Sequence, residues 1–384
     1  MINVAIIGTG AIAAAHIKGY QFFQDRCNIV AICDIYPEKA EKIAADFNLD
    51  VEVYSDYKQM LNVSQVDLLS VCTPPYTHAE IAIDSLNSDK HVLVEKPMAS
   101  SLEECDAMNK AQKRSGKFLS VVSQNRFTNP MMKLKNVLGT KLMGPIVHTQ
   151  IDSFWWRGHS YYDLWWRGTW EKEGGGCTLN HAVHHIDIFH WMNGMPSEVT
   201  AIATNTSHDN AEVEDLSVAI CRYPNGSLAQ ITSSVVHHGE EQQLIFQGKN
   251  ARVSVPWKVT ASKSKLNGFP EKDEELENKL TEAYQQLKDL EYEGHAAQVE
   301  DVLSAIEGKK QVLVDGIEGR KTLELITAIY QSSSLGQTVK LPLNDHSPFY
   351  TRDGVLKKAV HFYEKKKYVE NFSEQEITLG GKYE

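Results

Sequence analysis

The sequence predicts an α/β protein, with an N-terminal doubly wound parallel sheet and a C-terminal α+β domain containing a largely antiparallel open sheet. Two observations predict this arrangement. The first 122 residues alternate short β-branched runs with helix-length segments, and after Asn125 the strand-like runs cluster with short turns between them. Alternation implies right-handed crossovers and a parallel sheet covered on both faces, whereas clustered strands favour hairpins.

Ten apolar runs are the predicted strands. The first sheet receives residues 3–7, 28–33, 66–71, 91–94 and 118–122. The second receives residues 147–154, 199–204, 216–222, 227–235 and 242–247. Helical patterns lie near 177–193 and between 272 and 333. We therefore expect one domain over residues 1–124, a second over 125–344, and a helical C-terminal tail or arm over 345–384.

Composition excludes several classes of partner. A formal charge of −11 over 384 residues disfavours nucleic acid and anionic lipid surfaces. The most basic run, Lys365-Lys366-Lys367, is expected on a solvated helix face. No apolar stretch is long enough to span a membrane, no leader pattern follows Met1, and the six cysteines lack metal or redox spacing. These features predict a cytoplasmic protein with reduced thiols.

A glycine pattern follows the first predicted strand and leads into a helical pattern. It places Gly8 and Gly10 before Ala11, Ile12 and Ala13. Glycine lets the backbone turn tightly and approach a pyrophosphate, while the small Ala13 permits close contact between helix and strand. We predict a dinucleotide site of Rossmann type, with Gly8, Gly10, Ala11 and Ile12 around the pyrophosphate.

An acidic residue ends the second predicted strand at the spacing expected for a ribose ligand. Asp34 lies 24 residues after Gly10. A carboxylate there accepts hydrogen bonds from the ribose hydroxyls and repels a 2′-phosphate, and Ile35 and Tyr36 offer no arginine for that phosphate. The sequence therefore favours NAD over NADP. The alternative role for Asp34 is to cap the turn before Pro37.

Two polar segments follow strands of the first sheet at the edge where open α/β sheets bind ligands. They contain the candidate cofactor residues Thr73, Pro74, His78, Glu95 and Lys96. We expect Lys96 to point toward the cofactor. The alternative is a surface charge that begins a turn.

A second polar cluster follows the glycines at positions 174–176. In the helical pattern that comes next, Asn180, His184 and Asp187 share one stripe, while His181 and His185 share the adjacent one. Three histidines suggest zinc, but no glutamate stands between them as in H-E-x-x-H and no cysteine pair assists. We predict no metal site.

Oxidation of an alcohol needs a group that accepts the hydroxyl proton while hydride leaves for the nicotinamide. A histidine titrates near neutrality, and a nearby ammonium lowers its pKa and orients the oxygen. His184 and Lys96 are candidates for this pair. The alternative for His184 is an ordinary core or surface histidine.

These motifs, in their order along the chain, resemble the Gfo/Idh/MocA family of sugar and polyol dehydrogenases. The resemblance covers nearly the whole chain and rests on the glycine turn, Asp34, Thr73-Pro74 with His78, Glu95-Lys96-Pro97, and the glycine run with His184 and Asp187. It implies an NAD(P)-dependent oxidoreductase acting on CH–OH groups, in which Lys96 and His184 line the site beside the nicotinamide.

One position departs from the pattern of many family members. Asn180 stands four residues before His184, where many members carry aspartate. The resemblance is then to a sub-branch that acts on sugar nucleotides and glycosides, with a preference for oxidation at a pyranose C3. Because His184 lacks the partner that would raise its pKa, either Lys96 or His184 can be the proton acceptor.

Aromatic residues are concentrated at the start of the second domain. Six of the seven tryptophans lie between positions 155 and 191. Aromatic faces stack on the C–H face of pyranose rings, and Arg157 or Arg167 can bind hydroxyls or a carboxylate. We predict that Trp166 and Arg167 contact a sugar. The alternative is that this aromatic stripe is core or subunit interface.

Four further residues complete the candidate site on the strength of the resemblance. Gln124 joins the cofactor residues, and Arg126, His181 and His295 join Trp166 in the substrate set. His295 opens a helix whose family counterpart reaches the site, and packing at a helix terminus is its alternative role.

Three functions are compatible with these residues. The leading one is an NAD-dependent dehydrogenase or reductase acting on a ring carbinol of a sugar, glycoside or polyol. The others are a glycosidase that uses bound NAD for transient oxidation, and a non-catalytic dinucleotide-binding regulator. The expected partners are a small sugar or polyol and further copies of the chain, as a dimer or tetramer pairing through the outer face of the second sheet.

Overall fold

The computed structural model describes residues 1–62, 65–370 and 372. Within them the strands are β1 (Ile2–Ile7), β2 (Cys27–Cys33), β3 (Glu52–Tyr54), β4 (Leu68–Val71), β5 (His91–Val94), β6 (Leu119–Val121), β7 (Ile146–Phe154), β8 (Glu198–Thr204), β9 (Leu216–Arg222), β10 (Leu228–Ser234), β11 (Gln242–Gly248), β12 (Ala251–Val255), β13 (Lys258–Ser264), β14 (Pro270–Lys272) and β15 (Val339–Lys340). The α-helices are α1 (Ala13–Gln21), α2 (Pro37–Asp46), α3 (Tyr57–Leu61), α4 (Pro75–Asn87), α5 (Leu102–Ser115), α6 (Asn129–Gly139), α7 (Cys177–Asn180), α8 (Val183–Asn193), α9 (Glu274–Gln286), α10 (Gly294–Ile306), α11 (Gly316–Leu335) and α12 (Arg352–Lys358).

The chain forms two compact units. The first contains Met1–Phe127 and Leu290–Leu323, and the second contains Thr128–Asp289 and the described part of Glu324–Glu384. The sequence prediction had instead assigned residues 125–344 to one domain.

The first unit is built on a six-stranded sheet in the order β3-β2-β1-β4-β5-β6. All of its paired strands are parallel. The central strand is sealed on both faces, since Val4, Ala5 and Ile6 are fully buried. The doubly wound prediction is confirmed. The strand order reverses between β1 and β4, and ligands of such sheets bind beyond the carboxyl ends of the strands at that point.

One strand of this sheet was not predicted. The edge strand β3 has three residues, Glu52, Val53 and Tyr54, and none of them is fully buried. A three-residue segment cannot show the alternation or the apolar run by which strands are recognised.

Helix α10 adds a distant part of the chain to the first unit. Val299, Val302 and Leu303 belong to the same buried core as the residues of β1 and β2. Gln298 accepts a hydrogen bond from the amide of Ser123 at 2.8 Å and donates one to the carbonyl of Val121 at 2.7 Å. This apolar face explains why Leu290–Leu323 packs with the first sheet although it follows the second in the chain.

The second unit is built on a nine-stranded sheet in the order β14-β13-β12-β11-β7-β10-β9-β8-β15. Its pairs are antiparallel except β7 with β10. Alternate residues of β9 are buried and exposed, so one face of the sheet packs inward and the other is open. The largely antiparallel open sheet is therefore confirmed.

The C-terminal tail differs from its prediction. Within the described residues after 344, α12 is the one helix, and residues 360–369 have no helical turn. Lys365 was expected on a solvated helix face but is 5% exposed, because its ammonium donates to the carbonyl of Tyr162. Residues 371 and 373–384 of the predicted tail lie outside the described residues.

No helix in the described part of the chain has the length and apolar character needed to cross a membrane.

Candidate active site

The turn after β1 has the shape that a pyrophosphate site requires. Gly8 has φ +90°, and a Cβ there would lie 2.9 Å from the carbonyl of Cys72 at the end of β4, so only glycine fits. A Cβ at Gly10 would meet nothing within 4 Å, which leaves open space beside this residue. Helix α1 begins at Ala13, with no side-chain cap and no acidic residue in its first turn. An uncapped positive helix end facing open space fits a pyrophosphate.

Asp34 ties the end of β2 to this turn. Its Oδ2 accepts hydrogen bonds from the amide of Thr9 at 2.8 Å and the hydroxyl of Thr9 at 2.6 Å. Its Oδ1 accepts from the amide of Tyr36 at 2.9 Å, which is the turn-capping role weighed above. Each carboxylate oxygen can accept more than one hydrogen bond, so ribose binding and turn capping are compatible.

His78 is a brace inside the first unit. Its side chain is fully buried, and its two ring nitrogens lie 2.7 Å from the carbonyl of Thr73 and 2.9 Å from that of Pro97. Burial lowers the pKa of His78. His78 was predicted to contact the cofactor directly. Its ring is fully buried and instead holds the loops after β4 and β5 together.

Glu95 is a buried carboxylate held between two histidines. Its Oε1 lies 2.8 Å from Nε2 of His16 and 3.7 Å from Nε2 of His295. Burial raises the pKa of Glu95, but the two imidazoles outweigh it and hold the pKa well below its usual value. The three residues offer donor atoms within 4.8 Å of one another, as a metal site would, but the 2.8 Å separation is that of a direct hydrogen bond.

Lys96 follows this buried group at the carboxyl end of β5. Its amide donates to Oε2 of Glu95 at 3.1 Å, while its own side chain is partly exposed. His295, predicted to contact substrate, faces Glu95 and His16 instead of lying alone at a helix terminus. The geometry makes the histidines and Glu95 a support for the backbone of Lys96.

Two predicted site residues, Gln124 and Arg126, lie in the short 3-10 turn Gln124–Phe127, and their surroundings differ. The Oε1 atom of Gln124 is buried and has no hydrogen-bond partner among the described residues, so it can accept a bond from a ligand. Arg126 is fully buried, and its Nη1 pairs with Glu318 at 3.0 Å. Arg126 was predicted to contact substrate, but a sealed guanidinium cannot do so, and we correct its role to a structural ion pair.

In the second unit, a buried carboxylate fixes the glycine run. Glu214 accepts hydrogen bonds from the amides of Gly176 at 3.1 Å and Thr178 at 2.9 Å, and from the hydroxyl of Tyr330 at 3.0 Å. A Cβ on Gly175 would collide with Tyr330, and one on Gly176 would collide with the carbonyl of Glu214. The glycines therefore allow α7 to approach this carboxylate.

The helix expected after the glycines is interrupted. Helix α7 ends at Asn180, and the amide of Ala182 bonds to the carbonyl of Cys177, five residues back, so α8 starts in a new register. Asn180 donates to the carbonyl of Gly175 at 2.7 Å. Residues 181–190 are buried apart from His184, which is partly exposed. The predicted single stripe is wrong in detail, but His184 is the histidine that reaches the surface of this segment.

The other two histidines of this cluster are enclosed. Nδ1 of His185 lies 2.8 Å from the hydroxyl of Ser153, and burial lowers the pKa of His185 to about 4. His181 is 8% exposed and its Nε2 lies 3.4 Å from the hydroxyl of Tyr161.

The predicted sugar residues Trp166 and Arg167 lie on a loop that we call the aromatic loop, residues 155–173. The guanidinium carbon of Arg167 lies 4.2 Å from the ring centre of Tyr161 and 4.2 Å from that of Trp166. Nη1 of Arg167 donates to Glu173 at 2.9 Å. The side chain of Arg167 is 21% exposed, so stacking and the ion pair fix its orientation while part of it reaches solvent.

Several supporting residues escaped the sequence prediction. They are His16, Tyr161, Glu173, Glu214 and Tyr330. The sequence could have indicated His16, because it is a polar residue on the buried stripe of α1. It could also have indicated Glu173, because this buried residue directly precedes the glycine run. Nothing in the local sequence marks Glu214 or Tyr330, because their partners lie 36 to 151 residues away.

The sequence matches two models of one known protein family. The sequence model of the Gfo/Idh/MocA oxidoreductase family, NAD-binding Rossmann fold, matches residues 2–123. The model of the C-terminal alpha/beta domain of the same family matches residues 135–341.

Individual relatives share less than 30% of their residues with this chain in the three comparisons below. The chain is 26% identical over 272 residues to 2,7-anhydro-N-acetylneuraminate hydratase of Escherichia coli K12, covering 70% of this chain and 71% of the relative. It is 23% identical to D-glucoside 3-dehydrogenase of the same organism over 358 residues, covering 88% and 97%. Its fold superposes with a TM-score of 0.77 and 29% identity on the WlbA dehydrogenase of Bordetella pertussis in complex with NADH and UDP-GlcNAcA, covering 89% and 98%.

Both family models match in order, and together they span well over half of the sequence. This chain therefore belongs to the Gfo/Idh/MocA oxidoreductase family.

Proposed function

We propose that this protein is an NAD-dependent dehydrogenase or reductase that moves hydride between a ring carbinol of a sugar, glycoside or polyol and nicotinamide. The observation that carries the proposal is Lys96, a partly exposed lysine at the ligand-binding edge of an NAD-binding Rossmann sheet, fixed by the buried carboxylate of Glu95. The glucoside dehydrogenase among the relatives favours a sugar substrate and supports a preference for oxidation at C3.

The cofactor residues follow from the fit of the first unit. Gly8, Gly10, Ala11 and Ile12 would hold the pyrophosphate, and Asp34 would accept hydrogen bonds from the ribose and exclude a 2′-phosphate. Five further residues complete the set of cofactor residues: Thr73, Pro74, His78, Glu95 and Gln124. Of these, His78 acts indirectly, by holding the loops after β4 and β5 together. Bound NAD supplies the acceptor for hydride.

The residues of the chain supply proton transfer and orientation. We assign to Lys96 the task of binding the substrate hydroxyl and to His184 the exchange of its proton. Asn180 is the third residue of this catalytic set, and His181 belongs to the substrate set. Either Lys96 or His184 can be the final acceptor. Trp166 and Arg167 would contact the sugar, with the guanidinium as a hydrogen-bond donor to hydroxyl or carboxylate oxygens.

A panel assay tests this function. NAD, and separately NADP, is presented with monosaccharides, glycosides, inositols and uronates, and reduced nicotinamide is followed by absorbance. Activity with NAD on one sugar class, reduced about 10²- to 10⁴-fold in Lys96→Ala and His184→Ala, is the expected result. The exposed Lys42→Ala and His346→Ala serve as matched controls. Wild-type protein that binds NAD but forms no reduced nicotinamide with any polyol would contradict the dehydrogenase and favour either a reaction without net oxidation or a regulator.

A second candidate is a reaction without net oxidation, in which NAD is bound and regenerated within each turnover. The relationship to a hydratase supports it, because hydration changes no overall oxidation state. The earlier hypothesis of a glycosidase with transient oxidation belongs to the same class. Substrate conversion by protein that retains its NAD through gel filtration, with no reduced cofactor released, would favour this candidate.

We also propose that copies of the chain pair through the open face of the second sheet, as a dimer or tetramer. Ile202 is 76% exposed and lies opposite Val218 in the register of β8 and β9, and Ile220 is 44% exposed on the same face. An apolar face of this kind is typical of subunit interfaces. Light scattering should show a smaller assembly for Ile202→Lys, whereas Leu266→Lys, at a fully exposed turn, should keep the native mass.

Two further assignments complete the proposal. Residues 1–124 would bind NAD, and 125–344 would bind substrate and partner subunits, with Leu290–Leu323 packed on the first sheet. The six cysteines are buried free thiols, which supports a cytoplasmic location, and cell fractionation tests it.

A further inference from the structure

Residues 360–369, which we call the C-terminal strap, are joined to the aromatic loop at both ends. At one end the indole nitrogen of Trp170 donates to the carbonyl of Val360 at 3.0 Å. At the other, the amide of Val369 donates to the carbonyl of Asp163 at 2.8 Å, and the amide of Trp165 donates to the carbonyl of Val369 at 3.0 Å. At this second end the strap pairs with the loop through one isolated parallel bridge between Leu164 and Val369.

A buried asparagine fixes the middle of the strap. Oδ1 of Asn210 accepts hydrogen bonds from the amides of Lys366 at 2.8 Å and Lys367 at 2.9 Å. Its Nδ2 donates to the carbonyl of Lys367 at 3.0 Å and to Asp163 at 3.1 Å. Asn210 is 4% exposed, so these bonds are shielded from water and they set the direction of the neighbouring lysine side chains.

Lys365 is the side chain that the strap sends inward. Its ammonium donates to the carbonyl of Tyr162. The burial of Lys365 lowers its pKa, and the charges of Asp163 and Glu173 oppose that effect. The direct partners of the Asp163 carboxylate are Lys367 and Asn210. Asp163 and Glu173 are 1% and 3% exposed, and each has a direct cation partner, Lys367 for Asp163 and Arg167 for Glu173. Glu173 in turn accepts from Nη1 of Arg167 and from the amide of Gly168.

We propose that Lys365 is a positioning residue for the sugar site: by binding the carbonyl of Tyr162 it fixes the aromatic loop, and the fixed loop holds Arg167 in the orientation that binds substrate. This inference rests on the proposed function, because it takes Arg167 as a sugar contact. Without Lys365, the buried carbonyl of Tyr162, next to Tyr161 in the chain, loses its ammonium donor. The loop is then held less firmly, and the guanidinium of Arg167 is less well fixed between the rings of Tyr161 and Trp166.

The test compares Lys365→Met with the neighbouring Lys366→Met, whose side chain is 77% exposed, using a sugar found active with wild type. Lys365→Met should raise KM for that sugar at least tenfold, with NADH affinity unchanged within twofold and faster hydrogen exchange in residues 155–173. Lys365→Arg should recover part of the KM, and Lys366→Met should match wild type. Glu173→Gln, which keeps the shape of the side chain, should raise the sugar KM in the same way and replaces Lys365→Met if that variant does not fold.

An unchanged sugar KM in folded Lys365→Met or Glu173→Gln overturns the inference while the dehydrogenase remains. Loop exchange that rises without any change in KM also overturns it, because the loop would then be held for another purpose. A wild type that turns over no sugar overturns the proposed function, and the inference with it.

Discussion

The hydroxyl of Tyr330 donates to the carboxylate of Glu214, 3.0 Å away, and the glycine run at positions 174–176 packs against this pair. Glu214 also accepts the amides of Gly176 and Thr178, so it fixes the start of the segment that carries His184. Burial raises the pKa of Glu214, and the bonds from Thr178 and Tyr330 oppose this effect. The position of the proposed catalytic histidine thus depends on a glycine that can approach Glu214 closely.

The first prediction concerns that glycine. In Gly176→Ala the new Cβ would overlap the carbonyl of Glu214, so α7 must move, and we expect a loss of about 3 kcal/mol in the free energy of unfolding. The kcat should fall as His184 is displaced. Gly139→Ala is the control, because a Cβ at the end of α6 meets nothing within 4 Å and should change stability by less than about 1 kcal/mol. Equal stability of the two variants in urea would contradict the close approach.

The second prediction concerns the choice of cofactor. Asp34→Ala should lower kcat/KM for NAD about tenfold or more, because a charged hydrogen bond to the ribose is worth about 1.5–3 kcal/mol, and the preference over NADP should shrink. Since Asp34 also holds the hydroxyl of Thr9, Thr9→Val is the control that loosens the turn but keeps the carboxylate. Thr9→Val should retain the preference for NAD. If both variants weaken NAD and NADP equally, Asp34 only supports the turn.

The sequence predicted those features that depend on residues close together in the chain. Alternating apolar runs located both sheets, and the glycine turn, Asp34 and Lys96 were located by their spacing to strands. It failed where a partner is distant. Arg126 has the local features of a polar loop residue, and the partner that makes it structural, Glu318, is 192 residues away.

Lys365 was misplaced for the same reason. Three consecutive lysines are locally indistinguishable from a solvated run, and only the packing of the strap against the aromatic loop buries one of them. The placement of Leu290–Leu323 in the first unit likewise depends on an apolar face whose complement is formed by β1 and β2. Such tertiary partners leave no periodic signal in the sequence.

The third prediction tests the corrected role of Arg126. Arg126→Met should lower the free energy of unfolding by about 1–3 kcal/mol, because the buried guanidinium and its ion pair with the partly exposed Glu318 are lost. KM for the sugar should change less than twofold, since the side chain is fully buried. Arg114→Met, at an exposed arginine of the same unit, should be neutral within about 0.5 kcal/mol. A large rise in sugar KM in stable Arg126→Met protein would restore Arg126 to the substrate set.

The last prediction is a pH dependence that arises where α10 meets the start of β2. Arg26 donates from Nε to Glu307 at 3.0 Å and from Nη2 at 2.7 Å. These hydrogen bonds, together with the ammonium of Lys309 at 2.8 Å, lower the pKa of Glu307 to about 2 from its ordinary value of 4.5. A carboxyl whose pKa is lower in the folded state stabilises the fold above its unfolded pKa, and this contribution disappears as the pH falls toward the folded value.

We therefore expect Glu307→Gln to lower the free energy of unfolding by about 1 kcal/mol at pH 7, a small value because the pair is partly exposed to solvent. The difference from wild type should shrink as the pH falls from 4.5 toward 2. Urea unfolding at pH 7, 5, 4 and 3 measures it, with Glu41→Gln as an exposed control that should follow wild type throughout. A difference that stays constant down to pH 3 would mean that Glu307 acts through packing, because only the ionised carboxylate can bind Arg26 in this way.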